Sequence, residues 1–179
     1  MSVRMQPVKS IFSRMPRIVR DLSAPLGKDI VLEMSGENTE VDKTVIEQLG
    51  DPLTHMIRNS ADHGIEKPDI RVKNGKPSRG TIILSANHQG GRIIIEIRDD
   101  GAGINREKVL AKAREKGLVA PDAMLSNEEC DNLIFMAGFS TADVVSNVSG
   151  RGVGMDVVRR NIESLEGTVR VKTEPGKGS

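Results

Sequence analysis

The 179-residue sequence predicts an α+β fold, a two-layer sandwich with helices packed on one face of a mixed sheet. Three observations carry this. Two β-branched runs, residues 81–88 and 92–98, flank Gln89-Gly90-Gly91 and read as an antiparallel hairpin. Two further alternating runs, residues 29–35 and 168–174, lie far from it in the chain. Helices do not alternate strictly with these strands, which disfavours a doubly wound parallel sheet.

In order, residues 1–8 are short and irregular and read as the remnant of a preceding segment. Ile11, Met15, Ile18, Val19 and Leu22 repeat at helical spacing between a Ser10 N-cap and a Gly27 stop, with Pro16 separating or kinking the first turn. Ile30, Leu32 and Met34 share one side of a half-buried strand that Gly36 ends. A helix begins near Asp42, and Pro52 bends or restarts it before a stretch that Gly64 stops. Residues 65–80 have room for one short helix, ahead of the hairpin. Asn105 caps a helix that Gly117 closes; a short helix lies near 128–136, and 155–165 is amphipathic. Residues 168–174 read as a last strand. Length suggests one domain over residues 9–179, with residues 118–150, poor in periodicity, as a mobile flap.

Composition excludes several function classes. Apolar residues make up 37% and charged residues 28%, with a net charge of +1 and both signs interspersed, so no broad basic nucleic-acid surface is expected. The absence of Trp and Tyr argues against base stacking. Cys130 is the only cysteine and has no internal disulfide partner, which fits a reducing compartment. No apolar run approaches the roughly 20 residues needed to span a bilayer, and MSVRMQPVKS lacks the apolar core of a signal peptide. A cytoplasmic location without membrane insertion is expected.

Three motifs carry chemistry. In THMIRNSADHGIE, residues 54–66, helical spacing stacks His55, Asn59 and either Asp62 or His63 on one stripe, poor as core and well suited to coordination. His55 and Asn59 are candidate ligands for a cation whose phosphate partner comes from elsewhere. Asp99-Asp100-Gly101-Ala102-Gly103 follows the second hairpin strand, so a strand-ending acid can accept from an exocyclic amino group while glycines admit a planar ligand. Gly150-Arg151-Gly152-Val153-Gly154-Met155 opens a helix, where free N–H groups and the dipole favour an anion. A dinucleotide fingerprint is a weak rival, because polar SNVS precedes the glycines and Met155 stands in the last place. A P-loop and a protein-kinase loop fail for want of their partner motifs.

HMIRNSADHGIE, DDGAGI and GFSTADVVSNVSGRGVGMDVV, with PRIVRDL and GENTEVDKTV, resemble in order the N, G1, F and G2 boxes of the GHKL superfamily, and within it the catalytic domains of chemotaxis histidine kinases. The resemblance implies the two-layer Bergerat-type ATP-binding fold, ATP and Mg²⁺ as cofactors, and phosphoryl transfer to a histidine. Most relatives carry Glu about four residues before the Asn; here His55 holds that place. By resemblance, Asp99 would accept from the adenine amino group and Gly101 and Gly103 would shape the purine pocket. Asn59 would hold Mg²⁺, with His55 and Arg58 near the phosphates and Asp62 and His63 completing that wall. Lys108 and Lys112 share a helix face and would reach phosphates, Ser140 and Thr141 would sit in a lid over residues 117–150, and the motif Gly150, Arg151, Gly152, Val153, Gly154 and Met155 would cradle the β- and γ-phosphates.

The three histidines are His55 and His63, assigned to the site, and His88 at the hairpin turn, so the phosphoacceptor is expected on a separate phosphotransfer domain. Dimerisation and receptor-coupling domains of a parent protein, located at membrane receptor arrays, are also implied. The family's sheet continues beyond GKGS, so an unpaired edge beside residues 168–174 is expected, and a chain longer by about 10 residues is expected to melt higher. The competing readings are another ATPase or kinase of the same superfamily and a nucleotide-responsive docking module.

Overall fold

The hairpin forms where β-branched residues flank Gly90-Gly91. β4, Gly80–Gln89, pairs antiparallel with β5, Arg92–Asp99, from Ile82 opposite Asp99 to Gln89 opposite Arg92. β2, Ile30–Ser35, lies parallel to β4, giving a mixed sheet in the order β2-β4-β5. The computed structural model describes residues 4–137, 139 and 154–179. Length suggested one domain, whereas the chain's contacts divide it into two units, Met1–Gly103 with Gly176–Ser179, and Ile104–Pro175.

In the first unit, Gly80, Ile82, Leu84 and Ala86 are buried while their neighbours Thr81, Ile83 and Ser85 are only half-buried. This period-two pattern is that of a sheet with one covered face. The helices are α1, Lys9–Phe12; α2, Met15–Leu26; α3, Lys43–Asn59; and α4, Pro68–Lys73. Ile46, Leu49, Leu53 and Ile57 form the buried stripe of α3. Ala61, Ile65 and Ile82 make a core with Leu22, Ile30, Leu32 and Ile97 packed around it. Each large apolar side chain removed from water there contributes about 1.5–3 kcal/mol.

Several expectations are corrected. Residues 1–8 are not wholly irregular, because Met5–Pro7 form β1, antiparallel to β3, Glu40–Asp42. Ser10 caps nothing: α1 starts at Lys9, and the Ser10 hydroxyl donates back to the Pro7 carbonyl. α3 begins after Asp42, whose carboxylate accepts from the Thr44 N–H at 3.0 Å, and continues through Pro52 without restarting. Packing of the buried stripe on both sides of Pro52 outweighs the one lost N–H.

Gly36 closes β2 at φ +74°, and a Cβ there would run into the Ala86 carbonyl oxygen. Gly27 ends α2 at φ +64° with open space around it. Gly36→Ala is therefore expected to cost at least 1 kcal/mol more than Gly27→Ala, where strain alone costs about 1–3 kcal/mol. Thermal melting of both variants reads the difference, and equal losses would refute the steric account.

The second unit contains α5, Arg106–Glu115; α6, Asn127–Asn132, running into a 3₁₀ turn at Leu133–Phe135; and α7, Met155–Ser164. Asn105 accepts from the Lys108 N–H at 3.1 Å, as expected of a cap. Ser126 and Glu129 form a reciprocal capping box on α6. Ala113, Leu133 and Phe139 form its core with Val109, Leu110 and Leu125. Arg106 binds Asp131 through two hydrogen bonds of 2.9 and 3.0 Å.

The strand expected over residues 168–174 does not form. Among the described residues no strand pairs with 168–173, and only Glu174 makes a single bridge. Val169, Val171 and Thr173 alternate correctly, yet strand propensity alone does not supply the partner ladder that a strand needs. The Thr173 hydroxyl accepts from the Ile104 N–H at 2.8 Å.

Candidate functional site

Register places an acid where an apolar residue is expected. Ile93, Ile95, Ile97 and Asp99 share one face of β5, opposite His88, Ala86, Leu84 and Ile82, so Asp99 ends an apolar row and is 7% exposed. Its Oδ1 accepts from the Gly101 N–H at 3.0 Å and from the Ser179 N–H at 3.4 Å, and the Ser60 side chain also hydrogen-bonds to the carboxylate. Burial raises the Asp99 pKa above the ordinary carboxylate value, against the lowering effect of those three donors, and the neighbouring Asp100 charge adds to the rise.

The close packing around this acid depends on two glycines. A Cβ on Gly64 would come within 3.0 Å of Asp99 Oδ2, and one on Gly101 would collide with the Gly64 carbonyl. The Ala102 N–H donates to that carbonyl at 2.9 Å. The sequence marks Gly101 as a candidate site residue and Gly64 only as a helix stop.

α3 delivers the polar stripe. His55 and Asn59 lie four residues apart and are half-buried, off the stripe of Leu53 and Ile57. The helix then widens into a π turn, Ser60–Gly64, closed by the Ile65 N–H on the Ser60 carbonyl at 2.8 Å. A wider turn brings position i+4 over Asn59 rather than i+3, so His63 continues the stripe and Asp62 leaves it. His63 Nε2 is 3.8 Å from Asp62 Oδ2, and both side chains are exposed. Lys28 Nζ donates to the carbonyls of Ala61 and Asp62 at 2.8 and 2.6 Å, tying the turn to the residues after α2. Burial lowers the pKa of Lys28, and the Asp62 charge opposes that shift. Arg58 Nε is buried and has no hydrogen-bond partner.

Behind the Asp99 loop lies a charge network that sequence reasoning missed. Arg71 is 1% exposed and donates through Nε to the Pro77 carbonyl at 2.8 Å, through Nη1 to Glu66 Oε1 at 2.9 Å and the Asp100 carbonyl at 3.1 Å, and through Nη2 to Asp100 Oδ2 at 3.1 Å. Lys76 Nζ donates to Glu66 Oε2 at 2.9 Å and to the carbonyls of Asp100 and Gly101 at 3.1 and 2.8 Å. Asp100 Oδ1 accepts from the Thr81 N–H at 2.9 Å. Nothing in residues 65–80, read only as room for one short helix, marks Arg71 for burial.

A groove of about 470 Å³ between α2 and β2, lined by Val19, Ser23, Lys28 and Leu32 among others, contains none of the predicted site residues. In the second unit, Lys108 is exposed on α5, and Lys112, one turn on, places Nζ 4.7 Å from the Phe139 ring centroid. Gly154 is the N-cap of α7 and Met155 its first residue, so the glycine motif does open a helix. Gly103 lies at φ +78°. Ser140, Thr141, Gly150, Arg151, Gly152 and Val153 lie outside the described residues.

Among the described residues no three His, Cys, Asp or Glu side chains gather as a metal cluster, and no helix is long and apolar enough to cross a membrane.

Comparisons with known proteins identify the family. A family model described as histidine kinase-, DNA gyrase B- and HSP90-like ATPase matches residues 48–179. The chain is 60% identical over its whole length to Chemotaxis protein CheA of Rhizobium meliloti and 54% identical to that of Salmonella typhimurium, covering 24% and 26% of those proteins. It is 54% identical over 181 aligned residues to Sensor histidine kinase CheAY of Helicobacter pylori, covering 22% of it. The chain thus spans about a quarter of the length of these curated relatives. Among solved structures, the histidine kinase domain of the Erythrobacter litoralis EL346 blue-light activated histidine kinase superposes with a TM-score of 0.52 at 13% identity, over 96% of this chain and 58% of that one. Acinetobacter baumannii histidine kinase AdeS also gives 0.52, at 14% identity, over 99% and 65%. At such identities the two structures support the fold alone.

Proposed function

This chain belongs to the family of histidine kinase-, DNA gyrase B- and HSP90-like ATPases, and from that premise we propose that it is the ATP-binding catalytic part of a chemotaxis histidine kinase. It passes the γ-phosphoryl group of ATP to a histidine on a separate phosphotransfer domain. The observation that carries this reading is the Asp99 carboxylate, buried at the end of an apolar strand face and bonded to Ser60 of the turn that follows Asn59. Buried acceptors of this kind recognise an amino group with strong directional preference.

The donor set fits a Mg²⁺–triphosphate. Asn59 offers a neutral oxygen, while the orphaned Arg58 Nε would gain an anionic partner. Bound Mg²⁺ would neutralise phosphate charge. His55 accepts the N–H of the incoming histidine, so that the other ring nitrogen faces phosphorus, and positioning supplies most of the rate. Lys108, Lys112 and the α7 N-terminus at Gly154 are proposed phosphate contacts, with Ser140, Thr141 and residues 150–153 completing the lid and cradle. Dimerisation and receptor-coupling domains of the parent protein, a cytoplasmic location and receptor arrays follow as parts of the same proposal.

Calorimetry with ADP and ATP in Mg²⁺ tests binding, and radiolabel transfer to an added phosphotransfer domain tests chemistry. Saturable binding with transfer supports the kinase. Rapid hydrolysis without acceptor would favour another ATPase of the family, and nucleotide-dependent docking without transfer would favour a docking module. His55→Ala is expected to lower the transfer rate by about 10²-fold or more; unchanged transfer and unchanged nucleotide affinity would remove His55 from the mechanism.

A further inference from the structure

We propose that Arg71, Lys76 and Glu66 are positioning residues that set selectivity for the 6-amino group of the purine by fixing the peptide between Asp100 and Gly101. The inference rests on the nucleotide reading of Asp99 and extends it to residues that touch no ligand. A trans peptide carries its C=O and N–H on opposite sides. The Asp100 carbonyl is held by Arg71 Nη1 and Lys76 Nζ, both at 3.1 Å. The N–H of the same peptide, that of Gly101, therefore faces the other way and donates to Asp99 Oδ1 at 3.0 Å.

That bond divides the carboxylate. Oδ1 is occupied by the Gly101 and Ser179 N–H groups, while Oδ2 lies against Gly64, where the missing Cβ leaves room. One oxygen thus orients the group, and the other meets no backbone donor and keeps a lone pair for an amino donor even beside the Ser60 side chain. The two cations are themselves anchored: Glu66 spans them with one oxygen each, at 2.9 Å to Arg71 and 2.9 Å to Lys76. The Asp100 side chain closes the ring through Arg71 Nη2 and the Thr81 N–H. Both cations converge on the Asp100 carbonyl, and Lys76 also donates to the Gly101 carbonyl at 2.8 Å, so the peptide whose N–H meets Asp99 is held on both sides.

The test is the ratio of dissociation constants for purine riboside triphosphate, which lacks the 6-amino group, and ATP, measured on this chain by calorimetry with melting followed in parallel. The parent is expected to prefer ATP by at least about tenfold, the worth of one hydrogen bond to a charged acceptor. Lys76→Met keeps the aliphatic stem and removes three donor contacts; Asp100→Asn keeps the shape and removes the charge facing Arg71. Each is expected to cut the ratio by about fivefold while changing affinity for the analogue by less than about twofold. A lowered melting temperature with the ratio intact in both variants would overturn the proposal and leave the network a purely structural one. Should Lys76→Met fail to fold, Asp100→Asn carries the same prediction, and an intact ratio there overturns it. If the parent shows no preference and Asp99→Asn changes nothing, the adenine reading fails and this inference with it. A preference lost in Asp99→Asn but kept in both network variants defeats the positioning role alone.

Discussion

Arg71→Met is expected to destabilise the fold by about 3–5 kcal/mol, the usual consequence of removing one partner from a buried ionic cluster. Arg71 is 1% exposed and makes four hydrogen bonds, two of them to carboxylates. Met fills comparable space, so cavity formation is minor, and the loss comes mainly from Glu66, whose side chain is 10% exposed, left short of a cation. Denaturant unfolding measures the loss, and a change below about 1 kcal/mol would show that water or Lys76 replaces the guanidinium. The acid limb gives an independent readout. Burial pushes the Glu66 pKa up, but the Lys76 hydrogen bond and the charges of Lys76 and Arg71 outweigh it, and the net shift is downward. A carboxylate with a lowered folded pKa contributes stability above its unfolded pKa and loses it as pH falls through the folded value. Without Arg71 the folded pKa climbs back, so acid unfolding of the variant is expected to begin at a higher pH.

Asp99→Asn is expected to weaken ATP and ADP binding by about 10²-fold without destabilising the free protein at neutral pH. The amide retains an acceptor for the Gly101 N–H but presents a donor where the purine amino group needs an anion. Because burial raises the folded pKa of Asp99, this group's contribution to stability is fully present below its unfolded pKa and is lost as pH rises through the folded value. Asn mimics the neutral acid, so the variant is expected to melt at or above the parent at pH 7, with the difference vanishing below the ordinary carboxylate range. Melting curves across pH and calorimetric titration check both halves. A variant that binds nucleotide like the parent would remove Asp99 from the base pocket.

The site was legible wherever chemistry is local in the chain. The hairpin, the Asn105 cap, the helix opened by Gly154 and the acid ending β5 all follow from residues within a few positions of one another. Ser10 misled because the helix starts two residues earlier than a Ser10 cap would place it, with Val8 as the N-cap. Residues 168–174 misled for a different reason: alternation records what a strand would bury, and a ladder needs a neighbour that alternation does not supply.

By itself, the sequence determined the α+β class, the order of the motifs and the identity of the chemical groups, because periodicity and turn chemistry are short-range properties. Only the tertiary structure decided that Arg71 is buried, that Lys28 ties down the π turn, and that Arg71 and Lys76 meet the Asp100–Gly101 loop across 24 to 29 positions of chain. Those contacts join residues whose local sequences carry no mark of one another. Their geometry follows from how the sheet, α3 and α4 pack, since a buried charge is tolerated only where packing brings its partners to it.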